Sequence, residues 1–111
     1  MTDLEGNGNL PANFNWTDED GNHEGGQSIG IGFTIAWQRG SLNEMGRNGA
    51  FLIEVLEACQ AQLEHYQLDK FACPENQDAL SCVESAISHL QARRDRRQRE
   101  GMLGTTQVSA E

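Results

Sequence analysis

The sequence predicts an α+β fold, in which an antiparallel two-helix hairpin follows a short N-terminal β element. One observation is a period-two alternation of apolar residues between Ser28 and Trp37. The others are two apolar stripes at three- and four-residue steps, over about 49–67 and 74–99. With 111 residues the chain forms one domain at most and buries a small core. We therefore expect an oligomer, because association would cover a helix face.

The first 27 residues predict a flexible acidic N-terminal arm. They contain no lysine or arginine, are rich in glycine and asparagine, and carry the acids Asp3, Glu5, Asp18, Glu19, Asp20 and Glu24. Such a composition cannot bury enough apolar surface to offset the entropy of ordering. Phe14 and Trp16 are exceptions that could dock on the body or on a neighbouring subunit. The folded domain is expected over 28–107, with a tail at 108–111.

The segment from Ser28 to Trp37 predicts one strand with one covered face. Small or polar residues alternate there with Ile29, Ile31, Phe33, Ile35 and Trp37. A single strand cannot satisfy its own backbone groups, so its neighbour is either a short segment or another protomer. The glycine-containing stretch from Gln38 to Arg47 predicts a loop.

Two helices follow the loop. Asn48 is a favourable N-cap for a helix from Gly49 to Gln67, and Leu68 to Cys73 form a short turn. Pro74 at a first helical position predicts the start of a second helix, which runs to about Arg99 and is stopped by Gly101 and Gly104. The expected buried positions are Leu52, Val55, Leu56, Cys59, Leu63 and Tyr66 on the first helix and Leu80, Val83, Ile87 and Leu90 on the second.

Charge and cysteine content narrow the classes of function. A net charge of −9 and a pI near 4.6 argue against binding to duplex nucleic acid. Three cysteines without a C-x-x-C pair indicate reduced, packed thiols rather than a zinc site. The chain shows neither a signal-peptide pattern nor an apolar run long enough to cross a bilayer. We expect a soluble cytoplasmic protein without membrane contact.

Signals for catalysis are weak. His23, His65 and His89 have no serine or cysteine at a recognised motif spacing, and Gly30 and Gly32 do not complete a dinucleotide-binding motif. Pairs of glutamates on the first helix are explained by a solvated helix face. We therefore expect no enzymatic activity, no cofactor and no metal.

The arginines near the end of the second helix are the most informative residues of this acidic chain. Arg93, Arg94 and Arg97 are three or four positions apart, so their guanidinium groups can share one side of a helix and bind phosphate. The alternative is that the arginines only complement the helix dipole, and that Asp95 and Glu100 partly neutralise their charge.

A purine ligand would also need an aromatic surface, for which Trp37, Tyr66 and Phe71 are the candidates, although each of them also suits a hydrophobic core. Asn48 and Asn76 are first of all helix-start residues.

Several short motifs resemble a known family in their order and spacing. They are Trp37-Gln38-x-Gly40, Asn48-Gly49-Ala50-Phe51, Phe71-x-Cys73-x-Glu75-Asn76-x-x-Ala79-Leu80, Glu84-x-Ala86, Leu90, Arg93, Arg97, Gly101 and Gly104-Thr105. Together they resemble the phage Thoeris anti-defence sponges of type one, whose hairpin domain is shared with a phage anti-CBASS sponge. The resemblance covers roughly 29–107.

This resemblance implies a non-enzymatic protein that binds cyclic ADP-ribose isomers, and in some members cyclic oligonucleotides. It would act in the cytoplasm of an infected bacterium as a symmetric oligomer, either a dimer or a hexamer, with pockets between subunits. The ligand-binding candidates it implies, together with Arg94 from the spacing above, are Phe71, Asn76, Arg93, Arg97, Thr105, Trp37 and Asn48. Ser81-Cys82-Val83-Glu84 and His89 depart from the family pattern, which has a threonine-lysine-leucine-glutamate run and a tryptophan on this helix. The ligand is therefore left open.

A second class of function fits the composition. A small acidic protein can inhibit a basic host protein by presenting carboxylates, as nucleic-acid mimics do. Binding of a cyclic nucleotide distinguishes the two hypotheses.

Overall fold

A computed structural model describes residues 10–101, in which three β-strands precede three α-helices. The elements are β1 (Ala12–Thr17), β2 (His23–Ile29), β3 (Thr34–Trp37), α1 (Leu42–Met45), α2 (Leu52–Tyr66) and α3 (Pro74–Arg99). This confirms the predicted α+β class. The described chain divides between Ala50 and Phe51 into two compact units, which we call the sheet unit and the helical unit.

The sheet unit is built on an antiparallel sheet with the order β1-β2-β3. Asp18 organises the β1–β2 turn, because its Oδ1 accepts the backbone N–H groups of Asp20 and Asn22, each at 2.9 Å. These hydrogen bonds, that of Asn22 first, lower the pKa of Asp18 below its usual 3.8. Gly21 supplies the positive φ of 85° that this turn requires.

Two predictions about this unit are wrong. The predicted flexible arm over 1–27 contains β1 and most of β2, so ordered strands occupy 12–27 except for the turn between them. Residues 1–9 of that arm lie outside the described residues. The predicted single strand from Ser28 to Trp37 is instead the end of β2, a turn, and β3, closed by Ile29 opposite Thr34. The alternating pattern runs through the turn, where Gly30 N–H donates to the Phe33 carbonyl at 2.9 Å.

A loop that contains α1 follows the sheet, and the side chain of Gln38 forms hydrogen bonds to its far end at Gly46, Asn48 and Gly49. The prediction that Asn48 caps a helix from Gly49 is wrong, because α2 begins at Leu52 with Phe51 as its N-cap. The carboxamide of Asn48 instead pairs with the backbone of Arg39: its Oδ1 accepts the N–H at 2.7 Å and its Nδ2 donates to the carbonyl at 3.0 Å.

In the helical unit, α2 and α3 contact each other and are connected by residues 67–73. The predicted bounds of the second helix are confirmed, with Pro74 in its first turn and Gly101 at a φ of 74° after its end. Its buried apolar residues are Leu80 and Ile87, and α2 contributes Ile53. The prediction of packed thiols is wrong for Cys59 and Cys82, which are exposed and free. Gly104 and the predicted tail at 108–111 lie outside the described residues.

None of the helices in residues 10–101 combines the length and apolar character that a membrane span requires.

Candidate anion-binding site

The last two turns of α3 concentrate five arginines on one helix end. Arg97 is buried with 6% of its surface exposed, Arg93 and Arg94 are half-buried, and Arg96 and Arg99 are exposed. Because positions three and four apart share a helix side, Arg93 and Arg97 lie along one side. The negative end of the helix dipole favours cations here, but it does not require that one of them be buried.

The electrostatics of Arg97 favour an anion. Burial lowers the pKa of Arg97 below its ordinary value, and the positive charges of Arg93 and then Arg96 lower it further, while Glu100 opposes them. Arginine stays protonated at neutral pH in spite of such shifts. The positive charges of Arg93, Arg96 and Arg97 therefore disfavour one another, and an anion placed among these guanidinium groups would offset that repulsion. The exposed Arg96–Glu100 pair, with 3.5 Å between Nη1 and Oε1, contributes little.

The connection between α2 and α3 presents Phe71 on a fixed backbone. Its N–H donates to Asp69 Oδ1 at 2.8 Å, and its carbonyl accepts from Asn76 Nδ2 at 3.2 Å. Phe71 is 64% exposed, and Lys70 Nζ lies 5.5 Å from the ring centroid. An exposed ring on a fixed backbone beside a cation is suited to stacking against a nucleobase of an anionic ligand.

A side-chain clamp that we did not predict holds this connection. Gln67 Oε1 accepts the N–H of Cys73 at 3.1 Å, and Gln67 Nε2 donates to the Cys73 carbonyl at 3.2 Å. Cys73 Sγ in turn accepts the N–H of Asn76 at 3.4 Å and caps α3. The role of Gln67 could not be predicted, because no sequence motif indicates a glutamine clamp. Aspartate is typical of turns, so the role of Asp69 could have been predicted.

The structure does not bring these two groups of candidates together within one chain. Asn76 lies in the first turn of α3 and Arg93 is 17 positions further along the same helix. At a rise of 1.5 Å per residue, the two are separated by about 26 Å. The aromatic end and the arginine end can therefore contribute to one pocket only if they belong to different copies of the chain.

The other candidates belong to the sheet unit or lie outside the described residues. Trp37 is half-buried, and its Nε1 donates to Ser28 Oγ at 2.7 Å, while the Ser28 hydroxyl donates to Asn13 Oδ1. These bonds and the pairing of Asn48 with Arg39 give Trp37 and Asn48 structural roles. Thr105 is outside the described residues.

A shallow pocket of about 200 Å³ in the sheet unit was not predicted. It is lined by Asp18, His23, Glu24, Arg39, Gly40, Glu44 and Met45. Its three carboxylates make it less suited to an anion than the arginine end of α3. Over residues 10–101, no group of three or more histidine, cysteine, aspartate or glutamate side chains is placed to hold a metal ion.

The chain is 31% identical over 72 residues to a protein named Thoeris anti-defense 1 from Bacillus phage SBSphiJ7. The matched segment covers 65% of this chain and 51% of that relative, so the chain spans about half the length of the curated relative it matches. This similarity supports a relationship to the Thoeris anti-defence family. No protein-family model matches the chain.

Proposed function

We propose that this chain is a phage anti-defence protein that binds cyclic nucleotide immune signals, foremost cyclic ADP-ribose isomers, and sequesters them without cleavage. The similarity to a Thoeris anti-defence protein supports the biological role. The observation that carries the chemistry is the burial of Arg97 beside Arg93 at the end of α3. The proposed place of action is the cytoplasm of an infected bacterium.

The chemistry of the arginine end matches a diphosphate. Each guanidinium presents a planar set of donors that can form two parallel hydrogen bonds to phosphate oxygens. Charge-assisted hydrogen bonds of this kind contribute about 1.5–3 kcal/mol each, more than neutral ones. Arg93 and Arg97 are the proposed phosphate ligands, and Arg94 is a secondary one.

The proposed pocket lies between copies of the chain. Phe71 supplies an exposed ring for a base, and Asn76 keeps the carbonyl of Phe71 in place. If α2 and α3 form antiparallel hairpins that associate side by side in opposite directions, the Phe71 end of one copy meets the arginine end of the next. In such an assembly, the separation of about 26 Å between the two ends of α3 allows each end to face the opposite end of a neighbouring copy.

Sequestration needs affinity and enough binding sites but no turnover. A dissociation constant of about 1 nM corresponds to roughly −12.3 kcal/mol of binding free energy. We therefore propose a binding protein without a catalytic group. After incubation with cyclic ADP-ribose isomers and heat denaturation, the ligand should be recovered intact, and a cleaved product would contradict the proposal.

The arginine site is tested by a matched pair of double variants. Arg93→Glu with Arg97→Glu should weaken binding of cyclic ADP-ribose isomers, measured by titration calorimetry, on the order of 100-fold or more. Arg96→Glu with Arg99→Glu makes the same change of charge on exposed side chains of the same helix and should weaken binding far less. Equal losses of affinity in the two double variants would show that Arg93 and Arg97 do not form a specific site and that only the overall positive charge of the helix end matters.

Burial of a glutamate at position 97 can disturb folding, so Arg97→Lys provides a second test. Lysine keeps the charge but not the planar donor arrangement, and we expect a loss of about tenfold with unchanged helicity by circular dichroism. If the wild-type protein binds no cyclic nucleotide but captures a basic host protein, the acidic-inhibitor hypothesis replaces this one.

A further inference from the structure

We infer that Gln67 is a positioning residue of the proposed binding site: its carboxamide holds the connection between α2 and α3 in the conformation that presents the Phe71 ring, without itself contacting the ligand. The inference rests on the proposed function, in which Phe71 stacks on a base. Gln67 is the C-cap residue of α2 and Cys73 is the N-cap residue of α3. The two hydrogen bonds between the Gln67 carboxamide and the backbone of Cys73 therefore join the two ends of the connection.

Burial of apolar side chains contributes little to the shape of this connection. Leu68 is 85% exposed and Phe71 is exposed as well, so neither gains much from leaving water. The buried apolar residues of the described helical unit are Ile53, Leu80 and Ile87, which lie within the helices. The connection therefore depends mainly on hydrogen bonds for its conformation, which can change while the core stays intact.

A tight turn inside the connection carries Phe71. The N–H of Ala72 donates to the Asp69 carbonyl at 3.1 Å, so Phe71 occupies a central position of this turn. The hydrogen bond from Asn76 Nδ2 to the Phe71 carbonyl attaches the turn to the start of α3. Gln67 attaches the start of α3 to the end of α2, so the turn is held between two helix ends that are themselves linked.

The order of the connection before binding is what gives Gln67 an effect on affinity. A binding loop that is already ordered loses less conformational entropy when the ligand arrives, and this raises affinity. Without the Gln67 carboxamide the N–H of Cys73 loses its acceptor, and the segment can adopt conformations that do not present the ring. The apparent dissociation constant then rises in inverse proportion to the competent fraction, so a fraction of about one-tenth weakens binding about tenfold.

A double-mutant cycle tests whether Gln67 acts through Phe71. Gln67→Met keeps the length of the side chain and removes both hydrogen bonds, so it should weaken binding of cyclic ADP-ribose isomers about tenfold by titration calorimetry. In a protein that already carries Phe71→Ala and keeps the arginine end, the same change should weaken binding less than about twofold. Equal losses of affinity in the two backgrounds would overturn the inference, because a general effect on folding does not depend on the ring.

Gln60→Met is the matched control on the same helix. Gln60 Nε2 donates to Glu84 Oε2 at 3.4 Å, so this substitution also removes a hydrogen bond between α2 and α3, about two turns from the connection. Because that bond is long and exposed, affinity should stay within about twofold of the wild type. An equal loss in Gln60→Met and Gln67→Met, or no loss in Gln67→Met, would overturn the inference alone. A wild type that binds no cyclic nucleotide would contradict the proposed function instead.

Amide hydrogen exchange of the ligand-free protein checks the order of the connection without any ligand. Gln67→Met should speed exchange at Phe71 and Cys73 at least about tenfold, while the amides of Leu80 and Ile87 exchange as in the wild type. A uniform increase along α2 and α3 would mean that Gln67 stabilises the whole helical unit, and unchanged exchange at Phe71 and Cys73 would mean that other contacts hold the connection. Either result would overturn the inference.

Discussion

At the scale of single residues, Gln38 shows how the sheet unit stabilises an irregular loop. Its side chain is 3% exposed, its Nε2 donates to the Gly46 carbonyl at 2.8 Å, and its Oε1 accepts the N–H groups of Asn48 and Gly49 at 3.0 and 3.2 Å. One buried carboxamide therefore joins the end of β3 to both sides of the 46–49 segment. Buried polar groups are costly to leave without hydrogen bonds.

Removing this side chain should destabilise the sheet unit. We expect Gln38→Ala to lower the free energy of unfolding by about 1–3 kcal/mol, since buried backbone groups lose their hydrogen bonds. Gln38→Glu is the matched control, because its carboxylate can accept from Asn48 and Gly49 but cannot donate to Gly46. Urea denaturation at neutral pH should rank the wild type above both variants, and an unchanged midpoint for Gln38→Ala would show that the loop is closed by other contacts.

Residue identity was easier to predict from the sequence than residue role. Asn48 has the chemistry of a helix cap, but the structure uses it beside Arg39, four residues before α2 begins. Arg97 was predicted as a phosphate ligand from its spacing, and only the structure reveals that it is the buried member of the cluster. Local patterns report which groups are present, whereas burial depends on tertiary packing.

At the scale of elements, the helices were predictable and most of the sheet was not. Pro74 and Gly101 mark the two ends of α3 in the sequence itself. The signal of β1 is short: Ala12, Phe14 and Trp16 alternate with polar residues, but five of the six residues are exposed and the flanking sequence is acidic and rich in glycine and asparagine. The strand pattern of 28–37 concealed a turn, because the glycines at 30 and 32 fit the small positions of the alternation.

The pairing of β1 with β2 should depend on the absence of a side chain at Gly26. A Cβ there would overlap the backbone carbonyl oxygen of Phe14, which cannot move without disturbing the strand. We expect Gly26→Ala to destabilise the sheet unit by more than about 1 kcal/mol. Gly32→Ala is the control, since nothing lies within 4 Å of its added methyl group and its φ is not in the left-handed region. Thermal denaturation followed by near-ultraviolet circular dichroism measures both, and equal melting temperatures would contradict the close packing of β1 on β2.

At the scale of the whole molecule, net charge opposes the association of copies that the proposed pocket requires. Each copy carries −9 from 17 acidic and 8 basic residues, so two copies repel each other at a distance. Salt screens this repulsion and therefore acts on association with a predictable sign.

Added salt should therefore strengthen the association of copies. Raising sodium chloride from about 50 mM to roughly 500 mM shortens the screening length, so the repulsion between acidic copies falls while apolar and backbone contacts persist. We expect a several-fold rise in the association constant of the wild type, measured by analytical ultracentrifugation. An association constant that falls with salt would show instead that ion pairs, such as arginines of one copy against acids of another, hold the copies together.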